Sequence, residues 1–403
     1  MSHQDAYIVI NAGSSSLKFS VFLDGGKTSP QPLLSGQISG IGTRPVFEAK
    51  DAARRSLGEH RWEGDGAPDR QGLLRHLLDW LGGQLGDVRL AAAGHRVAHG
   101  GTRFAKPVRL TAARMEELDS LIPLAPLHQP HNVAAIRALA ELYPDLPQVA
   151  CFDTAFHQTQ PLHTQNFAIP RALTAEGIRR YGFHGLSYEY IAAQVPLVAP
   201  ELAEARVVVC HLGSGASLCA MRAGRSVDTT MGFTPLDGVP MGTRPGAIDP
   251  GVLIYLMREK GYGVDALERL LYRESGLLGV SGISSDMRDL LQSDAPEAAE
   301  AVKLFCHGVA KQAAAMAASM GGIDALVFTA GVGEHSAPVR ARIAAKLDWL
   351  GIRLDQASND GKATRISADD SRIPVFIIPT DEERMIAGHT LRLLQDAVVE
   401  QAA

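Results

Sequence analysis

The strongest constraint on this chain is a strand–turn–strand pattern that it carries twice. Tyr7, Ile8, Val9 and Ile10 are β-formers, Asn11 to Ser16 are small and turn-prone, and Leu17, Phe19 and Val21 alternate with Lys18 and Ser20, which predicts a β-hairpin. Residues 206–221 repeat the pattern: Val208-Val209 follow Ile8-Val9, and Gly213-Ser214 follow Gly13-Ser14, by 200 positions in each case. Two such hairpins predict two related halves, each offering a glycine-rich turn to one ligand. A turn without bulk lets backbone N–H groups and hydroxyls approach an anion, and Lys18 adds a nearby cation, so the pattern suits phosphate. Gly/Ser turns also join strands with no ligand at all, and it is the second copy that favours the binding reading. Gly26-Lys27-Thr28 ends like a Walker loop, but Val21 stands where that motif's first glycine belongs.

At 403 residues and 46% hydrophobic, the chain is long enough for two domains with substantial cores. A net charge of −5 gives no case for nucleic acid or an anionic membrane as partner. No uncharged run is long and apolar enough for a membrane span, and the polar start Met1-Ser2-His3-Gln4-Asp5 does not read as a signal peptide, so a cytoplasmic protein is expected. Cys151, Cys210, Cys219 and Cys306 form no CxxC pair and sit in apolar segments, which predicts small buried side chains.

Polar groups collect where predicted elements end. A strand over 89–93 delivers Gly94-His95-Arg96-Val97-Ala98-His99-Gly100-Gly101, either an anion site or a solvated loop with satisfied histidines. Leu127 and His128 precede a helix beginning near Pro130. A strand over 148–152 ends at Asp153, a ligand-facing carboxylate or a helix cap. Phe183-His184 lie between glycines, and residues 228–246 form a long loop ending near Arg244. A glycine-rich stretch over 275–285 precedes Asp286-Met287-Arg288. The strand over 325–330 leads into the turn Gly331-Val332-Gly333-Glu334-His335, an order that suits a nucleotide. Thr380 and Glu383 have the spacing of a helix capping box, which leaves Glu382 over. Cations and histidines (Lys18, Arg96, His128, His184, His211, Arg244) outnumber the carboxylates Asp153 and Glu382. That excess suits a transferring phosphoryl group, and the two carboxylates suit Mg²⁺. It also leans towards a carboxylic acid as acceptor, which is already an anion at neutral pH and needs no base.

Through VINAGSSSLKFSVF, GHRVAHGG, LAPLH, CFDTAFH, RRYGFHG, CHLGSGAS, MGFTPLDGVPMGTRPGAIDP, SGISSDMRD, FTAGVGEH and PTDEE, the chain resembles the acetate kinase family over essentially its whole length. The resemblance implies an α/β fold of duplicated actin-like (ribonuclease H-like) domains, two mixed sheets flanked by helices, with an active-site cleft between them. It implies reversible transfer of a phosphoryl group between ATP and acetate, giving ADP and acetyl phosphate, by in-line displacement in a homodimer using Mg²⁺, or Mn²⁺. Residues 1–154 with 385–403 are expected to form one domain and 155–384 the other. By the resemblance, Asn11 and Ser16 touch phosphate or metal, Lys18 supports their turn, and Asp153 and Glu382 hold or orient Mg²⁺. Arg96 and Arg244 grip the acyl carboxylate and the phosphoryl group, which His184 bonds in the transition state, while His128 and His211 are secondary phosphate contacts. Leu212, Gly213, Ser214 and Gly215, with Asp286, Met287, Arg288 and the turn from Gly331 to His335, resemble nucleotide-binding elements.

Ala98, Leu127, Phe183 and Pro235 resemble the acyl pocket, with Ala98 where the family usually has valine. The lost bulk predicts tolerance of propionate, each buried CH₂ being worth about 0.8 kcal/mol. Ser214 and His335 stand where asparagine is common, which loosens the expected nucleotide preference. Leu186 and Tyr188 replace the more usual Thr and His, with no role assigned. A propionate or butyrate kinase on the same fold is the nearest alternative, and an ATP-driven conformational module of the actin or heat-shock-chaperone kind is a distant one.

Overall fold

The computed structural model describes residues 4–26, 30–63 and 67–402. Met1-Ser2-His3 of the polar start and Lys27-Thr28 of the Walker-like ending lie outside them. The chain divides into two compact units, one running to Ala155 and resuming at Asp381, the other Phe156–Thr380.

The first unit is built on a sheet of eight strands. β1 (Asp5–Ala12) and β2 (Ser16–Leu23) form the predicted antiparallel hairpin, with Ala12↔Leu17 its last pair, so only the four residues Gly13 to Ser16 lie between paired positions. β3 (Gln31–Ser39), β4 (Val46–Asp51) and β5 (Ser56–Arg61) extend it as an antiparallel meander. On the other side of β1, β6 (Arg89–Val97) and β8 (Gln148–Phe152) run parallel to it, with the two-residue β7 (Val108–Arg109) at the edge. β1 is apolar on both faces and is covered on both. Ile8 and Ile10 pack with the leucine stripe of α1 (Arg70–Leu85) and with Ala135 and Leu139 of α2 (Gln129–Leu142). Tyr7 and Ala92 pack with Leu391 of the helix that begins at Glu382.

The second unit repeats this order in a five-stranded sheet. α3 (Gly185–Val198) leads into β9 (Arg206–Leu212) and β10 (Ala216–Arg222), the second predicted hairpin, followed by β11 (Arg225–Thr229). The ordered loop over 230–249 gives way to α4 (Pro250–Glu259). The glycine-rich stretch over 275–285 contains a helix, α5 (Gly276–Ser281), because Leu277 is buried and Gly276, at φ 63°, supplies the left-handed turn that starts it. α6 (Met287–Gln292) and the long α7 (Pro296–Ser319) precede β12 (Ala325–Thr329). The expected glycine turn from Gly331 to His335 is itself helical, α8 (Ala330–His335), followed by α9 (Ala337–Ala345). β13 (Val375–Ile377) completes the sheet, and α10 (Glu382–Ala402) belongs to the first unit. Alternate residues of β9 face opposite layers: Val208, Cys210 and Leu212 join Phe305 and Val309 of α7, while Val207 and Val209 join Tyr188 and Ile191 of α3. Strand order β11-β10-β9-β12-β13 mirrors β3-β2-β1-β6-β8, which is the duplication expected from the hairpins.

Candidate active site

In the first unit, Arg96 lies near the carboxyl end of β6, and Asp153 follows β8 beside it, since Val97 pairs with Phe152. The strand runs on to Val97 rather than ending at Ala93, so Arg96 is held by sheet pairing and not by a loop. Its guanidinium donates from Nε at 3.0 and 3.1 Å and from Nη2 at 2.6 Å to the Asp153 carboxylate, so Asp153 is an arginine partner and not a helix cap. Glu382, the first residue of α10, brings Oε2 to 3.8 Å from Arg96 Nε. Burial works to lower the Arg96 pKa, but Asp153 and then Glu382 outweigh it and hold it above the ordinary value. Burial pushes the Glu382 carboxyl up to about 7; Arg96 opposes the shift, Asp153 and Glu383 add to it, and Lys18 is close enough to oppose it too. Asp381, not Thr380, caps α10, its Oδ1 accepting the Arg384 N–H at 2.9 Å, while Thr380 pairs with Ser187.

Asn11 and exposed Lys18 face each other across the first hairpin. Its turn is fixed by the Gly13 N–H on the Ser16 carbonyl and by Arg70 of α1 on the Ser14 carbonyl, each at 2.8 Å. Ala98 and Leu127 are half-buried, and His128 is exposed just before α2.

In the second unit, His184 sits immediately before α3 with φ 58°, a left-handed conformation unusual for a side chain of this size. Its ring stacks on that of His211, with centroids 4.2 Å apart. Nδ1 of His184 lies 2.8 Å from Ser217 Oγ, which lies 2.6 Å from Tyr188 Oη; Nδ1 of His211 lies 2.8 Å from Ser187 Oγ. Both rings therefore have their Nδ1 atoms tied back. Arg244 donates from Nη1 to the Pro235 carbonyl at 2.8 Å, and burial lowers its pKa. A Cβ at Gly215 would fall 2.5 Å from Arg244 Nη2 and 3.4 Å from His184 Nε2, so glycine leaves the space on which these groups converge. Phe183 is buried, its carbonyl bonded to His157.

A cavity of about 610 Å³ in the same unit gathers Gly213, Ser214, Asp286, Met287, Arg288, Gly331, Val332 and His335. Four other residues expected beside the nucleotide do not line it. Leu212 is fully buried in the core, Gly215 faces Arg244, and Gly333 packs against Leu212. Glu334 accepts the N–H groups of Ala330 and Thr380 at 2.8 and 3.2 Å, which fixes the ends of β12 and β13. Asp286 is pushed down to about 2 by hydrogen bonds from the Arg288 side chain and backbone.

The sequence model of the acetokinase family matches residues 6–388. The chain belongs to the acetokinase family. It is 50% identical over 392 residues to a Nitrobacter hamburgensis protein named acetate kinase, with 97% of each chain covered. Among solved structures, a propionate kinase from Francisella tularensis matches this acetokinase with a TM-score of 0.91 at 38% identity, covering 97% of this chain and all (100%) of that one. The acetate kinase of Porphyromonas gingivalis matches with a TM-score of 0.87 at 34% identity, covering 98% and 100%. The acetokinase is thus an ATP-dependent phosphotransferase with the expected duplicated α/β architecture. No helix among its described residues is long and apolar enough to cross a membrane.

Three residues that tie the site together have no role assigned from the sequence, although Ser217 ends the CHLGSGAS motif and Tyr188 stands out as a departure. Ser217 and Tyr188 orient His184, and Asn132 bridges two strand ends, accepting the Ala98 N–H at 3.0 Å and donating to the Ala12 carbonyl at 2.7 Å. Their common signal is a polar side chain among positions that are buried and mostly apolar.

Proposed function

We propose that this acetokinase transfers the γ-phosphoryl group of ATP reversibly to acetate, giving acetyl phosphate and ADP by direct in-line displacement. The observation that carries the reading is the convergence of Arg244 and His184 on the space left by Gly215. A guanidinium and an imidazole N–H aimed at one point are donors placed where phosphoryl charge develops. Arg96, locked by Asp153 beside Glu382, grips an anionic substrate. A carboxylate acceptor is ionised at neutral pH, so no general base is required of this chain. The cavity over Gly331 and Asp286 holds the nucleoside.

Among the described residues no cluster of three or more His, Cys, Asp or Glu is gathered as a metal site. Mg²⁺ needs less, because it keeps several waters and takes one or two carboxylates together with substrate phosphates. Glu382 fits that requirement. Its carboxyl is destabilised as an anion by burial, a penalty a cation relieves, and Asn11 offers an amide oxygen of the same hard character. Glu382 and Asn11 would hold Mg²⁺, with Mn²⁺ as a substitute, and Asp153 would orient the site through Arg96. When bound, the cation neutralises phosphate oxygens.

Propionate as a second substrate is favoured by Ala98, whose short side chain is half-buried. We also propose that the enzyme works as a cytoplasmic homodimer. Val252, Ile254, Tyr255 and Met257 on α4 are all exposed, an apolar surface suited to a second copy. Sedimentation of the parent and of Tyr255→Glu tests this, and a monomeric parent overturns it.

The experiment for the activity is hydroxamate trapping of acyl phosphate from Mg-ATP with acetate, propionate and butyrate in parallel. Acetate leading with propionate close behind is expected. Butyrate leading would reassign the acceptor, and folded, ATP-binding protein that gives no product with any acid would overturn the proposal.

A further inference from the structure

The second unit holds another cavity, of about 500 Å³, walled by α6, α7 and α9. Its charged lining is all of one sign: Lys303 from α7, and Arg342 and Lys346 at and just beyond the end of α9, with no carboxylate among the lining residues. Its apolar floor includes Leu291, Val302 and Cys306. Burial pushes the Cys306 thiol up to about 11, while Arg342 and Lys346 pull it down, so both charges are felt at the floor.

Three cations lining one cavity with no carboxylate among them favour a multivalent anion, by an amount that salt screens because all three are exposed. One guanidinium and two ammonium groups match phosphate oxygens, and the hydrocarbon floor matches a short apolar portion on the same molecule. Leu291 of α6 also lines the larger cavity assigned to the nucleotide, and α6 is preceded by Asp286 and begins with Met287 and Arg288, which line it too. α9, which carries Arg342, follows directly on α8, whose Gly331 and Val332 are in that same lining. The two cavities therefore share α6 as a wall, and the adjoining helices α8 and α9 line the larger and the smaller of them.

We propose that this cavity is a second anion site, which takes a phosphorylated small molecule bearing a short apolar group and modulates nucleotide binding through α6 and α8. The binding stands on the cavity itself, whereas the modulation rests on the assignment of the larger cavity to the nucleotide.

Phenyl phosphate is a suitable probe, titrated calorimetrically into the full-length enzyme saturated with a non-hydrolysable Mg-ATP analogue and acetate, so that the nucleotide, phosphoryl and acyl positions are all filled. The double variant Lys303→Gln/Lys346→Gln changes only exposed side chains. One salt-sensitive site is expected in the parent, weakened about tenfold or more in the variant. In steady-state assays the probe should shift the KM for ATP in the parent and leave it unmoved in the variant. Equal affinity in parent and variant, or no heat up to about 10 mM, would overturn the site. Binding lost in the variant with no effect of the probe on KM in the parent would overturn the modulation and leave the nucleotide assignment untouched.

Discussion

The Tyr188 hydroxyl has a definite role, because it holds Ser217, which in turn holds Nδ1 of His184. Removing the hydroxyl leaves Ser217 in place but free to rotate. Tyr188→Phe should lower kcat about three- to tenfold, the effect of losing one hydrogen bond in a positioning chain, with the KM for acetate nearly unchanged. An unaltered kcat would show that Ser217 alone suffices. At Ala98, restoring bulk with Ala98→Val should lower the propionate-to-acetate ratio of kcat/KM about fourfold per displaced CH₂, and an unchanged ratio would remove Ala98 from the acyl pocket. Arg96, Asp153, His184 and Arg244 can be picked out from sequence because each is a charged or titratable group beside glycines or a strand end. The pairing of Ser217 with Tyr188 cannot, although both positions are noted in the sequence, since they read as strand and helix core and lie 29 residues apart.

At the scale of elements, β6 shows what period and composition conceal. Gly94-His95-Arg96 reads as loop, yet the strand continues through it because each residue is answered from elsewhere. A Cβ at Gly94 would meet Thr390 Oγ1 at 2.4 Å and Ile386 Cγ2 at 2.6 Å, so the glycine is what lets α10 lie close on the sheet. Gly94→Ala should cost about 1–3 kcal/mol by chemical denaturation and reduce activity by displacing the helix that starts at Glu382; a variant with parental stability would contradict this. His95 is buried with Nε2 2.7 Å from Gln148 Oε1, and burial pushes its pKa down to about 4 from 6.5. The neutral ring is the one the fold accepts. Its contribution is fully present above the unfolded pKa of 6.5 and is lost as pH falls towards 4, on the order of 3 kcal/mol. Thermal denaturation should show Tm dropping across that interval, and dropping less in His95→Gln. Parallel curves for the two proteins would assign the acid sensitivity elsewhere. The helix over 330–335 reads as a turn in the sequence because its glycines outweigh its propensity; Glu334 restores it by bonding back to the Ala330 N–H.

For the whole molecule, the duplicated hairpin is the legible part, and from it come the two sheets of matching strand order. What the hairpins do not convey is which polar residues meet, since those contacts join strands and helices far apart in sequence. In the proposed reaction the carboxylate oxygen of the acid, and not water, attacks the γ-phosphorus. Acetate labelled with ¹⁸O in both oxygens, incubated with Mg-ATP and the enzyme and trapped with hydroxylamine, tests it directly. Hydroxylamine cleaves the acyl phosphate at the carbonyl carbon, so the phosphate released keeps the oxygen that bridged to the acyl group. One ¹⁸O atom is expected in each phosphate released by trapping. Unlabelled phosphate formed in step with ADP would mean that water is the acceptor and would contradict it.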